Sequence, residues 1–165
     1  MIPTRADVFQ WLEAVKDPEV PVLSVVELGV VRDATVNADG AVTVTITPTY
    51  SGCPALRVME EAIRDELTAR GVPTIEVRFA YAPAWTTDWI PESAKAKLEA
   101  YGIAPPSAAT VAAELVPLRR ASAPVRCPWC KSSKTTLRSE FGSTACKSLH
   151  WCDACEQPFE AFKAI

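Results

Sequence analysis

Two CxxC motifs near the C-terminal end of the chain constrain its fold more than any other feature. Cys127 and Cys130 form the first motif, Cys152 and Cys155 form the second, and 21 residues lie between them. This spacing is typical of structural zinc sites in which four thiolates bind one ion. The segment 126–165 is too short to bury enough apolar surface unaided, so metal binding would supply the missing folding free energy, on the order of 10 kcal/mol. We therefore predict a zinc ribbon over residues 126–165.

The four thiolates alone leave the identity of the metal open, because they also suit iron or an iron–sulfur cluster. Zinc is favoured, since two identical motifs complete a closed site, which is structural rather than catalytic. Cys146 is a candidate additional ligand, and His150, the one histidine of the sequence, is a candidate substitute ligand or a plain strand residue. Thiol–disulfide exchange is disfavoured for the first motif, because exchange motifs begin a helix in a βαβ unit.

Charge and hydropathy exclude several classes of function. The net charge is −3, whereas a dedicated nucleic-acid binder needs clustered basic residues. The modest basic patch of the ribbon is more typical of a solvated face; its members are Lys131, Lys134, Arg138 and Lys147. No apolar run approaches the roughly 20 residues that cross a bilayer, and the N-terminus lacks the pattern of a signal peptide. We expect a cytoplasmic protein without membrane or nucleic-acid partners, and a reducing compartment favours metal binding over disulfides.

The first hundred residues show alternating helix and strand patterns. Helices are predicted over 4–16, from Pro54 to Gly71 and over 92–101, and strands over 30–37, 41–48 and 74–81. A proline-containing loop over 17–31 carries a Ser24-x-x-Glu27 capping box. The order of elements predicts an α+β fold with a small mixed sheet covered on one face. The predicted organisation is a domain over 1–102, a Pro/Ala-rich linker over 103–125 and the ribbon over 126–165.

Cys53 is the chemically notable residue of the first domain. It precedes Pro54, a favoured first position of a helix, so its thiol is predicted at the positive end of a helix dipole, where a thiolate is favoured. A small buried cysteine that fills space where the loop meets the helix explains the same residues equally well. Asp17 and Glu19, on the loop before the first strand, either help bind a cation beside Cys53 or are solvated turn residues.

Longer segments of the sequence carry a family resemblance. DPEVPVLSVVELGVVR, TYSGCPA and APAWTTDWI resemble the iron–sulfur cluster assembly domain of cytosolic and bacterial cluster-maturation factors. CPWC, SEFGSTACKSLHWCDAC and EQPFEAFK resemble the D-protein family of the bacterial phenylacetate degradation pathway, in which that domain is joined to a zinc ribbon. Together the two resemblances span nearly the whole chain.

The resemblance implies roles for particular residues. It makes Cys53 the reactive cysteine, with Asp17 and Glu19 as its acidic loop, and it places Cys146 inside the family pattern. The ribbon ligands that it implies are Cys127, Cys130, Cys152 and Cys155. The cofactors that follow are a structural zinc ion and a transient iron ion or iron–sulfur cluster at Cys53.

The resemblance also implies an accessory role, which is to mature the iron–sulfur or diiron centres of the multicomponent oxygenase that epoxidises phenylacetyl-CoA. A non-catalytic structural subunit of that oxygenase is the alternative. No phosphate loop, Ser/His/Asp set or pair of catalytic carboxylates can be placed in the sequence, so we do not expect an enzyme. A homodimer is a further expectation, because two protomers that each give one thiolate would hold one cluster.

Overall fold

The chain forms two compact units, Met1–Ala94 and Lys95–Ile165. They are seen in a computed structural model that describes residues 2–50, 52–106 and 124–163. The sequence places the end of the first domain at residue 102 instead. The difference arises at α3 (Glu92–Tyr101), because the boundary between the units falls inside this helix.

The first helix, α1 (Arg5–Leu12), begins where its capping pattern predicts. The Thr4 hydroxyl accepts a hydrogen bond from the Asp7 N–H at 3.2 Å, and the Asp7 carboxylate accepts one from the Thr4 N–H at 2.7 Å. The helix ends at Leu12, before the predicted residue 16. The N–H of Ala14 donates to the carbonyl of Trp11 at 3.1 Å, and this tighter turn closes the helix early.

A mixed three-stranded sheet with strand order β1-β2-β3 forms the centre of the first unit. The strands β1 (Val31–Val36) and β2 (Val42–Ile46) are antiparallel, and β3 (Ile75–Phe79) runs parallel to β2. Val42, Val44 and Ile46 of β2 are buried and alternate with partly exposed threonines, as predicted. The helix α2 (Leu56–Ala69) connects β2 to β3. Because β2 and β3 are parallel, their C-terminal ends and the start of α2 lie at the same end of the sheet.

The loop over 17–30 is part of the core rather than a surface connection. Val20, Leu23 and Val25 are fully buried or nearly so. The loop is fixed by backbone bonds, including the N–H of Asp17 to the carbonyl of Leu23 at 3.0 Å. The indole N–H of the buried Trp85 donates to the carbonyl of Leu28 at 3.0 Å. The position of this loop is therefore held by a residue far away in the sequence.

The second unit contains a four-stranded sheet with strand order β4-β7-β6-β5. Its strands are β4 (Ile103–Ala104), β5 (Thr135–Ser139), β6 (Lys147–Cys152) and β7 (Gln157–Phe162). The last three form an antiparallel meander, and β4 pairs with β7 in parallel. This C-terminal sheet and the mixed sheet of the first unit confirm the predicted α+β class.

The predicted linker over 103–125 begins inside this sheet. Ile103 and Ala104 are buried and pair with Glu160 and Ala161 of β7, so these two residues belong to a strand. Most of the predicted linker, residues 107–123, lies outside the described residues. Among the helices that the structure describes, none is both long and apolar enough to cross a membrane.

Candidate metal centre and the Cys53 loop

Two tight turns of similar geometry bring the four ribbon cysteines together. In the first turn the N–H of Lys131 donates to the carbonyl of Cys127 at 3.0 Å, and in the second the N–H of Glu156 donates to the carbonyl of Cys152 at 2.9 Å. Lys131 and Glu156, each placed directly after the second cysteine of its motif, have φ angles of 63° and 56°. This left-handed conformation is uncommon for residues with a Cβ, and here it turns the chain back after each cysteine pair.

The four sulfur atoms lie within 4.8 Å of one another. Those of Cys130 and Cys152 are 3.5 Å apart, and those of Cys127 and Cys155 are 3.7 Å apart. Sulfurs bound at about 2.3 Å to one tetrahedral zinc ion would be separated by about 3.8 Å. The donor set and its spacing therefore fit zinc, and the group includes the four residues that the sequence predicts.

Two thiols of this cluster, those of Cys152 and Cys155, have very different pKa values. The backbone N–H of Cys155, with help from that of Ala154, lowers the pKa of Cys152 to about 7. Burial raises the pKa of Cys155 to about 12, and the neighbouring sulfurs contribute to that rise. Negative charges so close together cannot all form unless a cation compensates them. A bound metal ion would supply that charge and displace the remaining protons.

The first cysteine turn packs against the end of α3. Gly102 has a φ of 93° and follows the last residue of the helix. A Cβ built on Gly102 would lie 2.3 Å from two carbon atoms of the Trp129 ring. The ammonium group of Lys131 pairs with the carboxylate of Glu99 at 2.7 Å. Both contacts connect the cysteine turn to residues 99–102 within the second unit.

Replacement of Gly102 with alanine is expected to destabilise the second unit by roughly 2–3 kcal/mol, because the new methyl group clashes with Trp129 and strains the backbone. The free energy of unfolding of the metal-loaded protein, from urea titration, measures the loss. Gly71 also has a positive φ but has open space around it, so Gly71→Ala should cost only about 1 kcal/mol. If Gly102→Ala costs the same in a Trp129→Ala background as in the wild type, the proposed clash is absent.

Cys146 and His150 do not join the four-cysteine cluster. Cys146 directly precedes β6 and Cys152 ends it, which separates them by about 20 Å along the strand. The Cys146 sulfur lies 3.1 Å from the Thr144 hydroxyl. The ring of His150 stacks on Phe159, and its Nε2 lies 2.9 Å from the Ser148 hydroxyl. Burial lowers the pKa of His150, so it is a neutral strand residue, and Cys146 is not placed to be the additional ligand that the sequence suggests.

Cys53 lies in the turn that joins β2 to α2. Its N–H donates to the carbonyl of Tyr50 at 3.1 Å, and the N–H of Leu56 donates to the Cys53 carbonyl at 3.3 Å. The helix begins at Leu56 rather than at Pro54, with Ala55 as an N-cap that provides no side-chain hydrogen bond. The side chain of Cys53 is half-buried. The thiol is therefore neither sealed in the core nor fully exposed.

The electrostatic environment of Cys53 differs from the expectation of a ready thiolate. Burial raises the pKa of this thiol, and the negative charges of Glu19 and Asp17 raise it further. The backbone N–H groups of Ala55 and Leu56 act in the opposite direction, as a helix start should, but they do not outweigh burial. Without a cation nearby, the protonated thiol is favoured at neutral pH.

The negative charges of Glu19 and Asp17 act on the Cys53 thiol from the loop over 17–30. Asp17 is buried, and its carboxylate accepts hydrogen bonds from the N–H groups of Glu19 and Val20 at 2.8 and 2.7 Å. Glu19 is half-buried, and its charge acts on Cys53 more strongly than that of Asp17. Asp17 thus shapes the loop turn, and Glu19 is the more exposed of the two carboxylates.

Comparison with known proteins identifies the family of this two-unit chain. It is 45% identical over 163 residues to a protein of Escherichia coli (strain K12) that is named as the candidate D component of 1,2-phenylacetyl-CoA epoxidase. The match covers 99% of this chain and 94% of that protein. The chain belongs to the PaaD-like family. The family model of the PaaD zinc beta ribbon domain matches residues 112–163, which include all four clustered cysteines and Cys146.

The first unit has relatives of its own. The family model described as iron–sulfur cluster assembly protein matches residues 5–78, which include Cys53 and both acidic residues. An Fe-S protein maturation auxiliary factor of Porphyromonas gingivalis (strain ATCC BAA-308 / W83) is 36% identical over 58% of this chain and 90% of its own length. A domain of unknown function from Bacillus anthracis has a similar structure, with a TM-score of 0.55, 30% identity and coverage of 57% of this chain and 90% of its own. The PaaD-like chain is thus related to iron–sulfur maturation factors.

Sequence reasoning missed several residues that build these sites. Lys131 and Glu156 set the shape of both cysteine turns, and the signal for them was their matching position after each CxxC motif. Trp85 holds the acidic loop at Leu28, and its only signal was its place in the APAWTTDWI segment. Their roles depend on conformation and distant contacts, which a linear pattern does not encode.

Proposed function

We propose that this PaaD-like chain is an accessory factor that assists maturation of the iron–sulfur or diiron centres of the phenylacetyl-CoA epoxidase. In this proposal Cys53 binds an iron ion or cluster transiently, and the carboxylates of Asp17 and Glu19 supply negative charge beside it. The observation that carries the proposal is a half-buried thiol at the start of α2 whose electrostatic neighbours are two carboxylates. The kinship with a named maturation factor of Porphyromonas gingivalis supports it.

The proposed reaction is a ligand exchange with no change in oxidation state. When Cys53 binds iron, an Fe–S bond forms and the thiol proton leaves to solvent. When the iron moves to its client, a thiolate or carboxylate of the client binds the ion, the Fe–S bond to Cys53 breaks, and Cys53 takes up a proton again. The negative charges of Glu19 and Asp17 favour binding of the iron cation. The raised pKa of the thiol favours release of the iron, because a proton then competes well for the sulfur. Such a balance suits transfer rather than storage.

The ribbon has a different role in the proposal. Its four cysteines hold one structural zinc ion in a closed site, which leaves no open position for a substrate. The zinc ion stabilises the fold of the second unit, and this unit then docks on components of the oxygenase. In this proposal the protein acts in the cytoplasm, is not an enzyme, and has no nucleic-acid or membrane partner. A homodimer, in which each protomer gives one Cys53 thiolate to a shared cluster, is part of the same proposal.

The second candidate function is a non-catalytic structural subunit of the oxygenase. The Escherichia coli relative, which matches nearly the full chain, is named as a component of the epoxidase. A structural subunit would co-purify in stable stoichiometric amounts, and its thiol at position 53 would not affect the metal content of the other subunits.

Cys53→Ser is expected to leave the epoxidase deficient in iron, near the level found without this chain, because serine is a much poorer iron ligand. The measurement is the iron content and activity of the oxygenase purified from cells that carry the variant. Cys146→Ser is the matched control, since Cys146 is a buried cysteine outside the metal cluster. Normal iron content with Cys53→Ser would reject the maturation role, and normal iron with stoichiometric co-purification would establish the structural subunit.

A further inference from the structure

Several exposed apolar side chains lie at the end of the sheet where the chain turns through Cys53. Tyr50 lies three residues before Cys53, and Val58 lies in the first turn of α2. Phe79 ends β3, and Tyr81 follows it. The parallel pairing of β2 with β3 places all of these segments at the same end of the sheet. We call Tyr50, Val58, Phe79 and Tyr81 the Cys53 rim.

The exposure of the Cys53 rim is high for such residues. Tyr50, Val58 and Tyr81 are 50%, 51% and 59% exposed, and Phe79 is 38% exposed. Isolated exposed apolar residues are ordinary, but a cluster at one end of a small domain marks an interaction surface. Tyrosine is enriched at such surfaces, because its ring buries a large area and its hydroxyl tolerates water.

One member of the Cys53 rim, Tyr50, packs against the neighbouring backbone. The nearest carbon of the Tyr50 ring lies 3.0 Å from the position that a Cβ on Gly52 would occupy. The ring therefore lies against the backbone directly beside Cys53, and a side chain at position 52 would push the ring away by a few tenths of an ångström. A side chain held in place loses little entropy when a partner covers it.

We propose that the Cys53 rim binds the segment of the client protein that receives iron from Cys53, in addition to the contact that the second unit makes with the oxygenase. This inference rests on the proposed function. Ligand exchange requires the receiving side chain to reach the ion while Cys53 still holds it, so the two ligands come within about 4 Å of each other. A half-buried thiol cannot be approached that closely unless the client covers the residues around it.

Charge restricts the chemistry of the client surface. The charges that act on Cys53 are those of Glu19 and Asp17, and both are negative. Glu19 and Asp17 disfavour an acidic group close to the thiol, whereas the exposed Arg57, which directly precedes Val58, puts a positive charge on the rim itself. The part of the client that faces Glu19 is therefore neutral or basic, and its apolar segment carries a cysteine or carboxylate that is still free to bind metal.

The variant Val58→Ser/Tyr81→Ser tests the docking surface without altering Cys53, Asp17 or Glu19. The full-length chain is loaded anaerobically with ferrous iron and mixed with iron-depleted epoxidase, and the rate of iron transfer is measured. The double variant should transfer iron at least about tenfold more slowly than the wild type, while it binds the same amount of iron itself. Ile2→Ser is the matched control and should transfer normally. Ile2 is 55% exposed and lines a groove with Val36, Asn37 and Ala38, at the opposite end of the same sheet.

Every other outcome would reject the proposal that the client docks on the Cys53 rim. Unchanged transfer by the double variant would show that the client docks elsewhere, and loss of iron binding would show that these residues belong to the binding site. If sedimentation shows a wild-type dimer that the double variant abolishes, the rim is covered by a second copy of this chain. Cys53→Ser, measured in parallel, separates the two proposals. Normal iron transfer by Cys53→Ser would reject the proposed function itself. If Cys53→Ser fails to transfer iron, the proposed function stands and the double variant remains a valid test of the rim.

Discussion

Removal of the metal from the four-cysteine site is expected to unfold the ribbon while the first unit stays folded. The buried cluster around the site consists of Ala104, Cys127, Cys152, Phe159 and Ala161. Two of its five members are ligands, and two others are alanines, which bury little apolar area. A core of this size does not offset the entropy of ordering the chain, so the metal contributes on the order of 10 kcal/mol.

Hydrogen exchange before and after treatment with a strong chelator measures this effect. Amides of β5, β6 and β7 should lose their protection, and Cys152→Ser should give the same result without a chelator. Amides of β2 and α2 should stay protected, because their unit buries its own apolar core. Cys146→Ser should keep the metal and the protection of the ribbon. A ribbon that remains protected after complete metal removal would contradict the prediction.

Trp85→Ala is expected to destabilise the first unit by roughly 3–5 kcal/mol. The side chain of Trp85 is buried, and its indole N–H donates to the carbonyl of Leu28 at 3.0 Å. The substitution leaves a large cavity and removes the partner of a backbone carbonyl in the acidic loop. A loss of this size is a large fraction of the stability of a small domain. The loop over 17–30 should therefore become mobile and carry Asp17 and Glu19 away from Cys53.

The control for this prediction is Trp89→Ala, in the same short segment. Trp89 is half-buried, and its ring lies under the guanidinium group of Arg32 at 3.4 Å, so its loss should cost only about 1–2 kcal/mol. Urea unfolding gives both free energies, and hydrogen exchange at residues 17–30 reports on the loop. Equal losses for the two variants would mean that Trp85 has no special role in holding the acidic loop.

Local patterns identified most elements of this chain because their causes are local. The capping box at Thr4 and Asp7 marked the start of α1, and the alternation of Val42, Val44 and Ile46 marked β2. The antiparallel pairing of β1 and β2 around Asp39-Gly40 confirms the predicted hairpin. Boundaries were less accurate, since α1 ends early and α2 begins at Leu56. Ends of helices depend on backbone bonds that propensity describes poorly.

The candidate site was predicted unevenly. The four ribbon cysteines converge as their spacing predicts, because each CxxC turn brings its own two sulfurs together and an intervening meander brings the turns together. Cys146 was a candidate fifth ligand because it lies only six residues before Cys152 in the sequence. The residues between them form the extended strand β6, so Cys146 lies at the opposite end of this strand from Cys152. The sequence left the state of the Cys53 thiol open between a thiolate at a helix start and a small buried cysteine, and the structure shows that burial raises the pKa of this thiol.

The sequence alone therefore determined which residues form the candidate metal site of the ribbon, the α+β class and the family resemblance, because these depend on residue type and short-range spacing. Only the tertiary structure decided that the charges of Asp17 and Glu19 act on Cys53, that Trp85 holds their loop, and that exposed apolar residues lie at the end of the sheet that carries Cys53. Each of these facts depends on segments distant in the chain that meet through the parallel pairing of β2 and β3 and the burial of loop 17–30. Such proximity is a product of packing the whole unit, and no local pattern encodes it.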